Sequence, residues 1–184
     1  MPVVILFAVA VVAIALGLLV FRVIPTLRSY FTYRGTRLVT CPETRQTVAV
    51  DVAAGKAALT AFLGDEKLRL NRCSRWPEHQ DCGQECLQQV ETDPQNCLVW
   101  NIVSDWYEDR SCAICHKRFG HLKHLDHAPA LMDRDRVTTE WKAVRPEQLP
   151  GIFDTHKPVC WDCHIAETFR RVHPELVVDR VKSA

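Results

Sequence analysis

Cys112-Ala113-Ile114-Cys115-His116 and Cys160-Trp161-Asp162-Cys163-His164 are the two stretches around which the rest of this chain is organised. Taken singly, each string is an attachment site for a c-type haem. Two thioethers hold the porphyrin and the adjacent histidine, His116 or His164, supplies an axial ligand to iron, so the chain would carry two haems. Taken together, Cys112, Cys115, Cys160 and Cys163 form one four-thiolate site for Zn²⁺, which takes four soft or borderline ligands at the corners of a tetrahedron. The two readings imply different compartments and different chemistry.

Working outward, Ser111 to Gly120 reads as a tight turn around the first pair. Pro129 to Met132 and Val137 to Trp141, flanking the polar Asp133-Arg134-Asp135-Arg136, predict a β-hairpin. Pro146 to Pro158 reads as a proline-bearing loop. Cys160 and Cys163 then open a helix in which Ile165, Phe169 and Val172 share one face, ended near Pro174. Thiolates in a first helical turn are favoured by unpaired N–H groups and the positive end of the helix dipole.

This order of knuckle, hairpin and helix carrying the second pair resembles the treble-clef zinc finger. Cys112 to Gly120 is similar to the first knuckle of GATA-type and LIM-type modules, and Cys160 to His173 to their second half. The departure lies at His116 and His164, where a small residue, often glycine, is commoner; those two histidines carry the haem reading. The resemblance implies that Cys112, Cys115, Cys160 and Cys163 hold zinc as a folding element, and that the module binds nucleic acid or protein. Structural zinc contributes on the order of 10 kcal/mol to such a domain.

Upstream, Arg37 to Pro42 and Thr47 to Val52 alternate as strands around the polar turn Glu43 to Gln46, which predicts a hairpin with Cys41 at its tip. Ala53 to Leu63 is helix-prone until Gly64-Asp65. Cys73 falls in a loop running to Pro77. Asp81 and Gln84 suggest a capping box that places Cys82 and Cys86 on one helical face. Cys41, Cys73, Cys82 and Cys86 are therefore a candidate second metal or cluster site, against the reading of buried thiols as small hydrophobes. Cys97, left over from that set, reads as core, and Leu98, Val99, Ile102, Val103 and Trp106 recur at helical spacing, predicting an amphipathic helix from about Cys97 to Glu108. His121, His124 and His127 read as solvated loop residues around the site; with His156 they are candidate distal ligands in the haem reading. No Gly-rich phosphate loop, serine nucleophile elbow or paired carboxylate appears, and neither Cys-x-x-Cys has the βαβ context of a thioredoxin-like site. A non-enzymatic role is expected, with a redox or metal-dependent enzyme, or a catalytic zinc site on His121, His124 and His127, left as lesser alternatives.

Val3 to Phe21 is an uncharged run of 19 residues, about 28 Å as a helix and close to the hydrocarbon thickness of a bilayer. It lacks a basic n-region before it and an Ala-x-Ala site after it, so an uncleaved anchor is expected. Arg22, Arg28, Arg34 and Arg37 follow it and no acid precedes Glu43. The positive-inside rule then puts the bulk of the chain in the cytoplasm, behind a single-pass anchor in a bacterial-type inner membrane; the haem reading needs the periplasmic side. Cytosolic thiols stay reduced and favour metal. Removing those four arginines from the net charge of +1 leaves −3, so a protein partner is expected and nucleic acid is not.

The expected architecture is α+β: a transmembrane anchor over 1–24, a basic juxtamembrane segment over 25–37, a cysteine-rich subdomain over 38–110 and a treble-clef-like metal-binding subdomain over 111–184. The expected function is that of a membrane-anchored, cytosol-facing zinc protein acting as a binding or scaffold module. The alternative is a membrane-anchored dihaem c-type cytochrome passing electrons, with Cys112, Cys115, His116, Cys160, Cys163 and His164 around the haems.

Overall fold

The computed structural model describes residues 2–177 apart from 77, 79, 80 and 125, so Pro77 of the expected loop lies outside the described residues. The architecture is α+β and divides into two compact units, 1–99 and 100–184.

The first unit begins with one helix, α1, Pro2–Tyr33. Its apolar side chains from Val3 to Phe21 are exposed throughout, and it is long and apolar enough to cross a membrane. The segment expected as a separate juxtamembrane stretch continues the same helix through Pro25. At 1.5 Å per residue α1 spans about 48 Å, well beyond the hydrocarbon layer. Its end is held by Arg37, a fully buried side chain. The guanidinium donates to the carbonyls of Tyr33 (2.7 Å), Arg34 (3.3 Å), Gly35 (2.8 Å) and Thr32. A cation on the last carbonyls of a helix satisfies orphan acceptors and meets the negative end of the dipole. Arg37 is thus a helix cap, and the basic boundary of the span rests on Arg22, Arg28 and Arg34. Gly35 makes the turn possible: it has φ +94°, and a Cβ there would lie 3.1 Å from the Leu98 side chain.

The expected hairpin follows. Strands β1 (Thr36–Thr40) and β2 (Thr47–Val52) pair antiparallel, with Val39 opposite Val48. Helix α2 (Ala54–Leu63) ends where Gly64 turns left-handed, and β3 (Leu70–Cys73) pairs with β2 to complete the sheet order β1-β2-β3. Val39, Val48, Val50, Val52 and Leu70 pack with Val90 of α3 (Leu87–Thr92) into one core. Helix α2 packs on α1, its Ala54, Ala57 and Ala58 buried, and Arg22 Nη1 donates to Phe62 O at 2.9 Å. Leu59 and Leu63 are left exposed beside it.

Two expectations here are corrected. Cys73 ends strand β3 rather than lying in a loop. Cys82 and Cys86 do not share a helix: α3 starts only at Leu87, with Cys86 as its N-cap. Gln84 adopts φ +57° and its side-chain carbonyl accepts Leu70 N–H at 3.0 Å, so it serves β3 instead of a capping box.

The second unit contains α4 (Val99–Tyr107), strands β4 (Ala130–Met132) and β5 (Thr138–Glu140), α5 (Leu149–Thr155), β6 (Lys157–Val159) and α6 (Trp161–Val172). The three short strands form an antiparallel sheet of order β5-β4-β6. Tyr107 is fully buried and its hydroxyl donates to Ala130 O at 2.8 Å, fastening α4 to β4. The segment expected to be one loop from Pro146 to Pro158 instead holds α5 and β6.

Candidate metal centre

The first cysteine pair sits on a miniature hairpin closed by the bridge between Ser111 and Arg118. Cys112 N–H donates to Lys117 O and His116 N–H returns to Cys112 O, both at 2.9 Å. The chain can turn this sharply because His116 adopts φ +61°. Glycine enters that left-handed region without the Cβ penalty that histidine carries. Ala113 N–H donates to Pro158 O at 2.9 Å, which ties the knuckle to β6.

The second pair is delivered by the β6–α6 junction. Cys160 is the N-cap of α6 in extended conformation, and Cys163 lies in its first turn. Cys160 N–H points at Cys112 Sγ, 3.3 Å away. The four sulfurs of Cys112, Cys115, Cys160 and Cys163 all lie within 4.8 Å of one another, and Cys115 Sγ to Cys160 Sγ is 3.7 Å. With Zn–S bonds of about 2.3 Å, a tetrahedron has edges of about 3.8 Å. All four thiols are free. This cluster is capable of coordinating a metal ion such as Zn²⁺.

Its electrostatics ask for a cation. Burial raises the Cys112 thiol, but N–H groups of Cys115, Cys160 and Ile114 and the Cys115 thiol outweigh that and bring it down to about 7. Cys163 is pushed up, by burial first and then by the Cys160, Cys115 and Cys112 sulfurs. Cys160 is also raised, again mainly by burial. One thiolate is prepared by the backbone, whereas four together repel one another unless a metal stands between them. Ala113, Ile114, Phe119, Ala130, Met132 and Val159 pack with Cys112, Cys160 and Cys163, while Cys115 is exposed.

Neither histidine of the two strings belongs to the cluster. His116 is exposed on the knuckle. His164 is buried, and its Nδ1 lies 2.8 Å from Thr138 Oγ1, linking α6 to β5. Nothing in the sequence singles out Thr138 for this role. His124 stacks on Trp100 (4.0 Å) and His127 on Trp161 (4.9 Å), so two of the three loop histidines are ring partners of tryptophans; His121 is exposed. Of the second cysteine set, Cys41 lies in the β1–β2 turn, Cys73 and Cys86 are buried, and Cys82 is half-buried in the irregular stretch before α3. Among the described residues, the carboxy-terminal four are the group drawn to ligand distance.

No protein-family model matches the chain, and neither a curated protein nor a solved structure matches it.

Proposed function

We propose that this is a single-pass, cytosol-facing membrane protein whose carboxy-terminal unit is a treble-clef-like zinc module serving as a binding or scaffold platform rather than an enzyme. The observation that carries the reading is the convergence of Cys112, Cys115, Cys160 and Cys163 within 4.8 Å. Knuckle, β4–β5 hairpin and a helix bearing the second pair in its first turn follow one another in treble-clef order, with α5 and β6 added before α6. Ile165, Phe169 and Val172, expected as the apolar face of α6, are exposed along it and support a protein partner. The long apolar helix α1 supports the anchor, and Arg22, Arg28 and Arg34 at its end support a cytoplasmic carboxy-terminal side.

The dihaem reading gains no support from this arrangement. Two covalently attached porphyrins need two separate thioether pairs, whereas these sulfurs share one small volume, and His164 is engaged with Thr138.

Elemental analysis and an absorbance spectrum on the full chain purified in detergent test the proposal. Zinc without a Soret band is expected, and zinc retained in the double variant His116→Gly/His164→Ala. A Soret band, together with an active alkaline-phosphatase fusion after Ala184, would overturn it.

A further inference from the structure

The turn carrying Cys41 repeats the knuckle carrying Cys112 bond for bond. Cys41 N–H donates to Gln46 O at 2.9 Å and Arg45 N–H returns to Cys41 O at 2.8 Å; the Cys112 turn makes the same two bonds, each at 2.9 Å. Arg45 stands at φ +57° where His116 stands at φ +61°. The N–H groups of Glu43 and Thr44 are aimed at the Cys41 sulfur, as those of Ile114 and Cys115 are at the Cys112 sulfur. In this superposition of roles Thr44 occupies the place of Cys115. The amino-terminal turn is a knuckle with one thiol instead of two.

Three further thiols surround it. Cys73, Cys82 and Cys41 all lie close enough to Cys86 for their charges to act on it. A cavity of about 90 Å³ opens between Cys41, Cys82 and Cys86, lined also by Glu43, Gly83 and Glu85. Arg75 Nη1 lies 3.1 Å from Cys41 Sγ and 3.6 Å from a Glu43 carboxylate oxygen. A cation at this position offsets the charge that accumulates when several thiolates share one divalent ion. We propose that residues 1–99 hold a second thiolate-bound zinc ion, with Cys41 of the incomplete knuckle, Cys73 at the end of β3, Cys86 at the start of α3 and Cys82 as its ligands. Cys41, Cys73 and Cys86 are carried by the β1–β2 turn, β3 and α3. Among the described residues no three of these sulfurs yet lie at ligand distance of one another, so the four draw together on binding, with Cys82, on the irregular stretch from 81 to 86, free to move furthest.

The test counts zinc on the full chain in detergent, by native mass spectrometry and elemental analysis. Two zinc ions per chain are expected, falling to one in Cys82→Ser and to one in Cys163→Ser. Because Thr44 stands at the second ligand position of the knuckle, Thr44→Cys should return the second ion to Cys82→Ser; a merely structural role for Cys82 predicts no such rescue. The unsubstituted protein decides the matter even where a variant fails to fold. One ion per chain, lost with Cys163→Ser and kept with Cys82→Ser, overturns this inference and leaves the carboxy-terminal zinc module standing. One ion lost with Cys82→Ser and kept with Cys163→Ser overturns the carboxy-terminal assignment instead. Iron with acid-labile sulfide at Cys41, Cys73, Cys82 and Cys86 overturns the single-ion assignment.

Discussion

In residues 1–99 a sheet of three strands brings Val39, Val48, Val50, Val52 and Leu70 into one core with Val90, a core that also contains buried Cys73 and Cys86. In residues 100–184 the corresponding sheet has strands of three residues each, and the cluster at its cysteine end is Cys112 with Ala130, Met132 and Val159. Val103, Tyr107, Leu131 and Leu149 are also buried in this second unit, so the contrast lies at the cysteines: Cys41 packs against a valine-rich core, whereas Cys112 is itself a member of the small cluster at the end of its sheet. The same knuckle therefore plays two parts. At Cys41 it decorates a hairpin that the hydrophobic effect already stabilises, and at Cys112 it is a corner from which β6 and α6 are hung.

The widest way to break that contrast is Cys112→Ser combined with Cys163→Ser. In the zinc reading, loss of an ion contributing on the order of 10 kcal/mol exceeds the stability of a small domain. Hydrogen exchange should show β4, β5, β6 and α6 losing protection while β1 and β2 keep theirs. Simultaneous loss in both units would mean that the amino-terminal core does not stand by itself.

The contrast also explains what was readable in advance. The first hairpin, the stop at Gly64 and the cysteine pair opening α6 were legible because each depends on local chemistry: alternation, a left-handed glycine and a first-turn N-cap. Helix α5 was hidden by Pro150 and Gly151, which read as loop; prolines are tolerated at the first positions of a helix, and buried Leu149 holds this one in place. Strand β6 was hidden by Pro158, tolerated because β6 is an edge strand. Cys73 and Cys86 were placed by β-pairing and by Gln84 bonding to Leu70, long-range choices that no local pattern encodes. Arg37 was counted as a boundary charge because a sequence shows its sign but not its burial. The grouping of Cys112, Cys115, Cys160 and Cys163 into one cluster able to coordinate a metal was legible, and the role of Thr138 was not.

Arg37→Met is the next effect in size and falls on the other unit. The change leaves the carbonyls of Thr32, Tyr33, Arg34 and Gly35 without their donor at a buried helix end, at a cost of about 3 kcal/mol. Denaturant unfolding of the full chain should show the transition of residues 1–99 moving to lower denaturant with zinc at Cys163 unchanged. An unshifted transition would mean that the helix end finds water instead, and that α1 is not locked to the sheet through this side chain.

The smallest effect bears on the two knuckles directly. Arg45 and His116 each hold a left-handed backbone, at φ +57° and +61°, that costs a residue with a Cβ about 1 kcal/mol relative to glycine. Arg45→Gly and His116→Gly should therefore each stabilise their own unit by roughly that amount, less the entropy that glycine adds to the unfolded chain. Neither side chain is a ligand in the zinc reading, so metal content should not change. The two turns make the same hydrogen bonds, so a gain at one and a loss at the other would show that they differ in more than their missing cysteine. A loss at His116 accompanied by loss of the ion would be the sharper result, since it would make the imidazole a ligand and restore the histidine that the motif places there to the chemistry of the site.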